Sequence, residues 1–130
     1  MTCELGPRLY ERVRPLLENM KHNLTVTAVV DGTCPGAIWA DDAERPRRVL
    51  LSTPEGHFLT GEQLDPEGAA SLRELLNERI YPRGREQGWA YFCLHYPNRG
   101  WQESVHGVVG AKYPVWDYQQ YFVLKDPECD

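Results

Sequence analysis

The residues of this chain that could carry chemistry are few and widely spaced. Its four cysteines stand at positions 3, 34, 93 and 129, and no two form the C-x-x-C pair that zinc ribbons and thioredoxin-like sites use. Cys93 sits inside an apolar run and reads as a small core residue. Cys3 and Cys129 lie near the two ends and read as exposed thiols. Cys34 occupies the loop Gly32-Thr33-Cys34-Pro35-Gly36, where a nucleophilic role would require a neighbouring base. The histidines are His22, His57, His95 and His106. None falls in the H-x-x-x-H or H-E-x-x-H spacing that sets two imidazoles on one helical face, so no metal centre is expected. His95 reads as a core histidine with its hydrogen bonds satisfied. Asn23-Leu24-Thr25 matches the glycosylation tripeptide, but Met1 to Arg8 lack the basic-then-apolar layout of a signal peptide. A disulfide framework is accordingly not expected.

Two charged stretches invite a closer reading. Arg45, Arg47 and Arg48 form a small basic patch, yet Asp41, Asp42 and Glu44 sit beside it, which describes a solvated loop. Glu62 to Gly68 is an acidic loop in which Asp65 and Glu67 suit the capping of a following helix. The aromatic residues Trp101, Tyr113, Trp116, Tyr118, Tyr121 and Phe122 could line a ligand cleft or pack against a helix or a partner subunit.

Elements must position these groups, and composition bounds them. The 130 residues suffice for one domain, and 42% hydrophobic with 25% charged residues describes a packed core. The net charge of −5 opposes a phosphate-tracking role, so no nucleic-acid partner is expected. No apolar run reaches the roughly 18 residues of a membrane span, so no membrane is expected and the chain reads as cytoplasmic.

Gly6-Pro7 opens a helical segment with Leu9, Val13, Leu16, Leu17 and Met20 on one face, kinked or split at Pro15. Leu24 to Val30 is rich in β-branched residues and is expected to be a strand. Ala37 to Ala40, Val49 to Ser52 and His57 to Gly61 follow as strands of an antiparallel meander. The spacing of Leu72, Leu75, Leu76 and Ile80 predicts a helix over Ala69 to Ile80, with Pro82 and Gly84 as stop signals. Trp89 to Tyr96 is expected to be an interior strand buried on both faces, with that helix packed across the sheet. A short helix from Trp101 to about Val109 and a final strand, Lys112 to Leu124, complete one α/β domain over residues 1–130.

This order resembles the GNAT superfamily of N-acetyltransferases, and in particular the N-terminal lobe of its two-lobed, zwittermicin-resistance-type members. The likeness rests on Pro15-Leu16-Leu17-Glu18-Asn19, Pro35 to Asp42, Gly56 to Gly61 and Gly88-Trp89-Ala90-Tyr91-Phe92, and spans roughly Tyr10 to Leu124. It implies an α/β fold with a GNAT-like mixed, mostly antiparallel central sheet flanked by helices. Family enzymes hold the acyl-CoA pyrophosphate at a helix N-terminus, through a loop of pattern Q/R-x-x-G-x-G/A, where free amides and the helix dipole favour an anion. The equivalent loop here, Gly61 to Ala70, carries three carboxylates, no basic residue, and Pro66 in place of one amide donor. Arg85-Glu86-Gln87-Gly88-Trp89-Ala90 matches the pattern literally, but it precedes an expected strand rather than a helix.

By the same resemblance, Asn98 matches the position beside the pantetheine arm, although a loop Asn bonding its own backbone is the plainer reading. The family's general-acid Tyr has no counterpart among Trp101, Val105 and His106. Tyr96 and Tyr113 flank that stretch as alternatives. His57 and Glu62 are the candidate bases. Three functions follow as expectations. The first is an acetyltransferase-family lobe that binds no cofactor alone and packs beside a separate catalytic lobe or binds a ligand. The second is a minimal acyl-CoA-dependent N-acetyltransferase using acetyl-CoA. The third is a homodimer joined through the aromatic C-terminal strand, whose exposed apolar side chains would otherwise face water.

Overall fold

The computed structural model describes residues 3–20, 23–89 and 92–109. The expected strand at Lys112 to Leu124, the dimer surface assigned to it, and His22, Tyr113 and Cys129 lie outside the described residues.

The architecture is mixed α/β. A five-stranded sheet runs in the order β1 (Cys3–Glu4), β2 (Ala37–Ala40), β3 (Arg48–Thr53), β4 (Gly56–Gly61), β5 (Leu94–His95). Pairing is antiparallel from β1 to β4, and β5 lies parallel to β4. Register explains why β2 to β4 are buried along almost their whole length. Trp39, Leu50 and Leu59 align on one face, and Ile38, Leu51 and Phe58 on the other. The first face packs against the helices that follow β4, through Leu72, Leu76, Ile80 and Val105. The second is covered by N-terminal segments through Val13, Leu17, Val26 and Val29. A sheet covered on both faces has no solvent side to reward alternation. Each fully buried Leu or Ile here contributes about 1.5–3 kcal/mol.

The expected first helix is two 3₁₀ segments, Pro7–Arg12 and Arg14–Met20, interrupted at Val13 rather than at Pro15. Leu24–Val30 is not a strand but α1. The Asn23 side chain accepts a hydrogen bond from the Thr25 amide (3.0 Å) and caps the helix, and Val26, Val29 and Val30 fall at helical spacing onto the sheet. Tertiary burial at that spacing outweighs the β preference of branched side chains.

After β4, α2 (Pro66–Leu75) does not stop before Pro82. A π-turn over Leu76–Ile80 joins it to α3 (Tyr81–Gln87). The Tyr81 amide donates to the Leu76 carbonyl, five residues back, so the ladder widens immediately ahead of the proline that cannot donate. Gly88, at φ 72°, ends α3. The Trp89 amide returns to the Gly84 carbonyl (2.9 Å) and the Gly88 amide to Arg85 (3.3 Å), a Schellman pair. Trp89 is thereby tied to α3, and of the strand expected over Trp89 to Tyr96 the described residues show only Leu94–His95, half-buried and last in the sheet among the described residues, with Ala90 and Tyr91 outside them. A 3₁₀ turn, Arg99–Trp101, leads into α4 (Gln102–Val109), which packs on α2.

Candidate functional site

Strands β4 and β5 pair over only two positions, His57 with Leu94 and Phe58 with His95. Beyond them the remaining residues of β4 have no β5 partner among the described residues. The carboxyl ends of two parallel strands are where α/β sheets ordinarily take ligands. Two loops meet there. A Cβ on Gly100 would sit 2.7 Å from the Gln63 side-chain nitrogen, so the loop after β5 abuts the loop after β4.

The structure brings some of the sequence candidates together and separates others. Glu62 is exposed on the β4 loop, its amide bonded to the Arg47 carbonyl (2.9 Å). Asn98 is exposed on the β5 loop, with its side-chain oxygen accepting from the Gly100 amide (2.9 Å), a turn that leads into the Trp101 region. Tyr96 is half-buried where the chain leaves β5 and packs on the helical face of the core. His57 stands at the opposite end of β4, about 16 Å from Glu62 at ~3.3 Å per strand residue. It is only 2% exposed. Burial pushes its imidazole down to about 4, only partly offset by the Cys93 carbonyl, while His95 and Arg83 lower it further. An imidazole so enclosed reaches no amine substrate from solvent, and His57, Glu62 and Tyr96 do not converge on one reacting position.

Arg48, expected within a solvated basic loop, is instead buried. It opens β3 on the same face as Leu50, and its side chain runs under the loop that precedes α2, buried to 5% exposure. Its Nε donates to the Glu62 and Gln63 carbonyls (3.1 and 3.0 Å), and its Nη2 to Gln63 (2.8 Å). Asp65 and Asp41 supply countercharge at 3.5 and 3.7 Å. Asp41 itself accepts the Arg47 and Arg48 amides (2.9 and 3.2 Å). Burial opposes its ionised form, but those amides and the Arg47 guanidinium outweigh it and hold the carboxyl below its ordinary range. The signal in the sequence was the last arginine of the basic patch standing directly against the apolar run Val49 to Leu51, where it lies on the core face only if something satisfies its charge.

The α2 N-terminus is correspondingly occupied from within. Pro66 has no amide to offer, and the Gly68 amide is taken by Asp65 Oδ1 at 2.6 Å. That bond first, and Arg48 and Arg47 after it, hold the Asp65 carboxyl below its ordinary range. A small polar cleft of about 220 Å³ remains, lined by Asp41, Arg47, Arg48, Asp65, Glu67, Gly68 and Ser71. Its two arginines already face three carboxylates. The described residues of the literal phosphate-loop match, Arg85 to Trp89, fall at the C-terminal end of α3, where carbonyls rather than amides are presented.

Among the described residues no group of three or more His, Cys, Asp or Glu side chains could hold a metal ion, and no helix is long and apolar enough to cross a membrane. Comparison of the chain with known protein families finds no family model that matches it, and no curated protein matches it in sequence.

Proposed function

We propose that this chain is a lobe of acetyltransferase-family (GNAT-like) architecture that binds no acyl-CoA by itself and acts by packing against a separate catalytic lobe in the cytoplasm. Support for the architecture comes from the antiparallel β2–β4 meander and from the crossover through α2 and α3 to a strand that pairs parallel with β4 over two positions. The observation that carries the non-catalytic reading is the closed α2 N-terminus, where Asp65 fills the position an incoming pyrophosphate would need. A phosphate there would displace a bound carboxylate and meet Glu67 beside it.

A second reading, a minimal acyl-CoA-dependent N-acetyltransferase, is favoured by one feature: Glu62 and Asn98 lie on the adjoining loops that follow the parallel pair β4 and β5. A homodimer through the aromatic residues Tyr113 to Leu124 is the third.

Calorimetric titration of acetyl-CoA into the pure chain separates the first two. The expected result is no saturable heat. A micromolar dissociation constant, on the order of −8 kcal/mol, would overturn the proposal. Loss of that heat in Asn98→Ala would then assign the cleft between the two loops to the cofactor.

A further inference from the structure

His57 is the buried titratable group that the proposed function does not use. Its Nε2 lies 3.0 Å from Ser52 Oγ on the neighbouring strand. Its Nδ1 is buried with no hydrogen-bond partner among the described residues. With the proton on Nε2, Nδ1 has no donor to accept from; with it on Nδ1, the acceptor that bears on the ring is the Cys93 carbonyl, outside good hydrogen-bond geometry. Aromatic rings close over it, Trp89 edge-on at 5.2 Å and Phe92 tilted at 4.8 Å, and Tyr81 packs edge-on against Phe92. The charges that bear on the ring are His95 from β5 and Arg83 from α3, both of which oppose a second positive charge. From β3 only the neutral Ser52 hydroxyl reaches it, and the one favourable group is the Cys93 carbonyl.

The position of this residue matters as much as its surroundings. The His57 main-chain amide donates to the Cys93 carbonyl (2.9 Å), and His57 pairs with Leu94. It therefore sits where β5 joins the sheet. That junction has two residue pairs, against six between β3 and β4. Segments held by few pairs and half-buried side chains open separately from the rest of a domain.

We propose that His57 is a proton-operated latch: neutral, it holds β5 and the rings of Trp89 and Phe92 on β4, and protonated, it releases them while the β2–β4 meander stays folded. The sign follows from linkage. In the closed form the ring accepts a proton only near 4, and in the released form near its ordinary 6.5. The closed form is thus fully favoured above about pH 6.5 and loses ground about tenfold per unit as pH falls towards 4, about 300-fold in all.

Amide hydrogen exchange between about pH 7 and 4.5, corrected for the intrinsic rate, tests this. Protection of the His57 amide is expected to fall with pH while the amides shared by β2 and β3 keep theirs. His57→Gln is expected to abolish the pH dependence, and His95→Gln, which alters the other half-buried imidazole, to leave it in place. Unchanged protection of the His57 amide, equal loss in every strand, persistence of the effect in His57→Gln, or its disappearance in His95→Gln would each overturn the latch. Should His57→Gln fail to fold, carbon-13 titration of the wild-type ring decides. Titration near 6.5 with β5 still protected refutes the proposal, and an uncharged ring down to the pH at which protection is lost supports it.

Discussion

Arg48→Ala is expected to lower the unfolding free energy by about 3–5 kcal/mol, read as a shift of the urea midpoint at unchanged slope. The loss does not come from one ion pair. Removing the guanidinium strands the Glu62 and Gln63 carbonyls and leaves Asp41 and Asp65 without their buried cation. Half-satisfied buried groups cost more than the intact network returned. Arg48→Lys is expected to recover only part of the difference. An ammonium is a point charge and cannot span the two carbonyls and two carboxylates that the planar fork reaches. Because Arg48 ties β3 to the loop before α2, the Gly68 amide should also lose protection in the alanine variant, as Asp65 is freed from its partner. A midpoint within about 0.5 kcal/mol of wild type would show that water satisfies these groups and that Arg48 is an ordinary surface residue.

Gly61→Ala is expected to be comparably damaging, by about 3 kcal/mol or more, for reasons of backbone rather than charge. Gly61 has φ 111°, a region that residues with a side chain rarely enter. A Cβ there would collide with the Arg47 carbonyl and lie 2.8 Å from Arg48 Cα. The strands approach closely at this point because Gly61 pairs with Arg48, and the chain must turn at once to deliver the Glu62 and Gln63 carbonyls to the guanidinium. Gly6→Ala is the control, since a Cβ at Gly6 meets nothing within 4 Å. Thermal unfolding of the two variants side by side measures the difference. Equal melting temperatures would mean that the β3–β4 end relaxes freely and is not clamped.

Much of the sheet was legible because its signals are local. Ala37 to Ala40, Val49 to Ser52 and His57 to Gly61 are short, mostly apolar runs bounded by a charged loop and a tight turn, within a residue of the observed strands, and antiparallel neighbours joined by short connections need no distant information. Errors arose where a local preference was overruled from a distance. Val26, Val29 and Val30 favour a strand by type, but their spacing serves a helix once the sheet offers a face to bury them. Pro82 would ordinarily end a helix, yet a π-turn just before it lets α2 continue into α3. The apolar run from Trp89 read as a strand because its residues are apolar. The Gly88 turn hands Trp89 to α3 instead, and Trp89 and Phe92 cover His57.

The candidate site divides along the same line. Asp65 as a helix cap and Asn98 as a backbone-bonded loop residue follow from chemistry within three residues of each. Arg48 could not be placed that way, because the carbonyls it serves lie 14 and 15 residues away. Within the basic patch, Arg45 and Arg47 are exposed as a solvated loop requires, and Arg48 alone departs, because its partners in space are the carbonyls and carboxylate of the loop that leads into α2.

Amide spectra recorded while inorganic pyrophosphate is titrated into the chain test closure of the α2 N-terminus most directly, since they report on the two amides nearest the cap. With Asp65 already bonded to Gly68 and Arg48 already shared among Asp41, Asp65 and two carbonyls, the Gly68 and Ala69 resonances are expected to stay fixed through the millimolar range, where binding is worth only about −4 kcal/mol. Saturable shifts centred on Gly68 at lower concentration would contradict that closure and make the α2 N-terminus an open anion site.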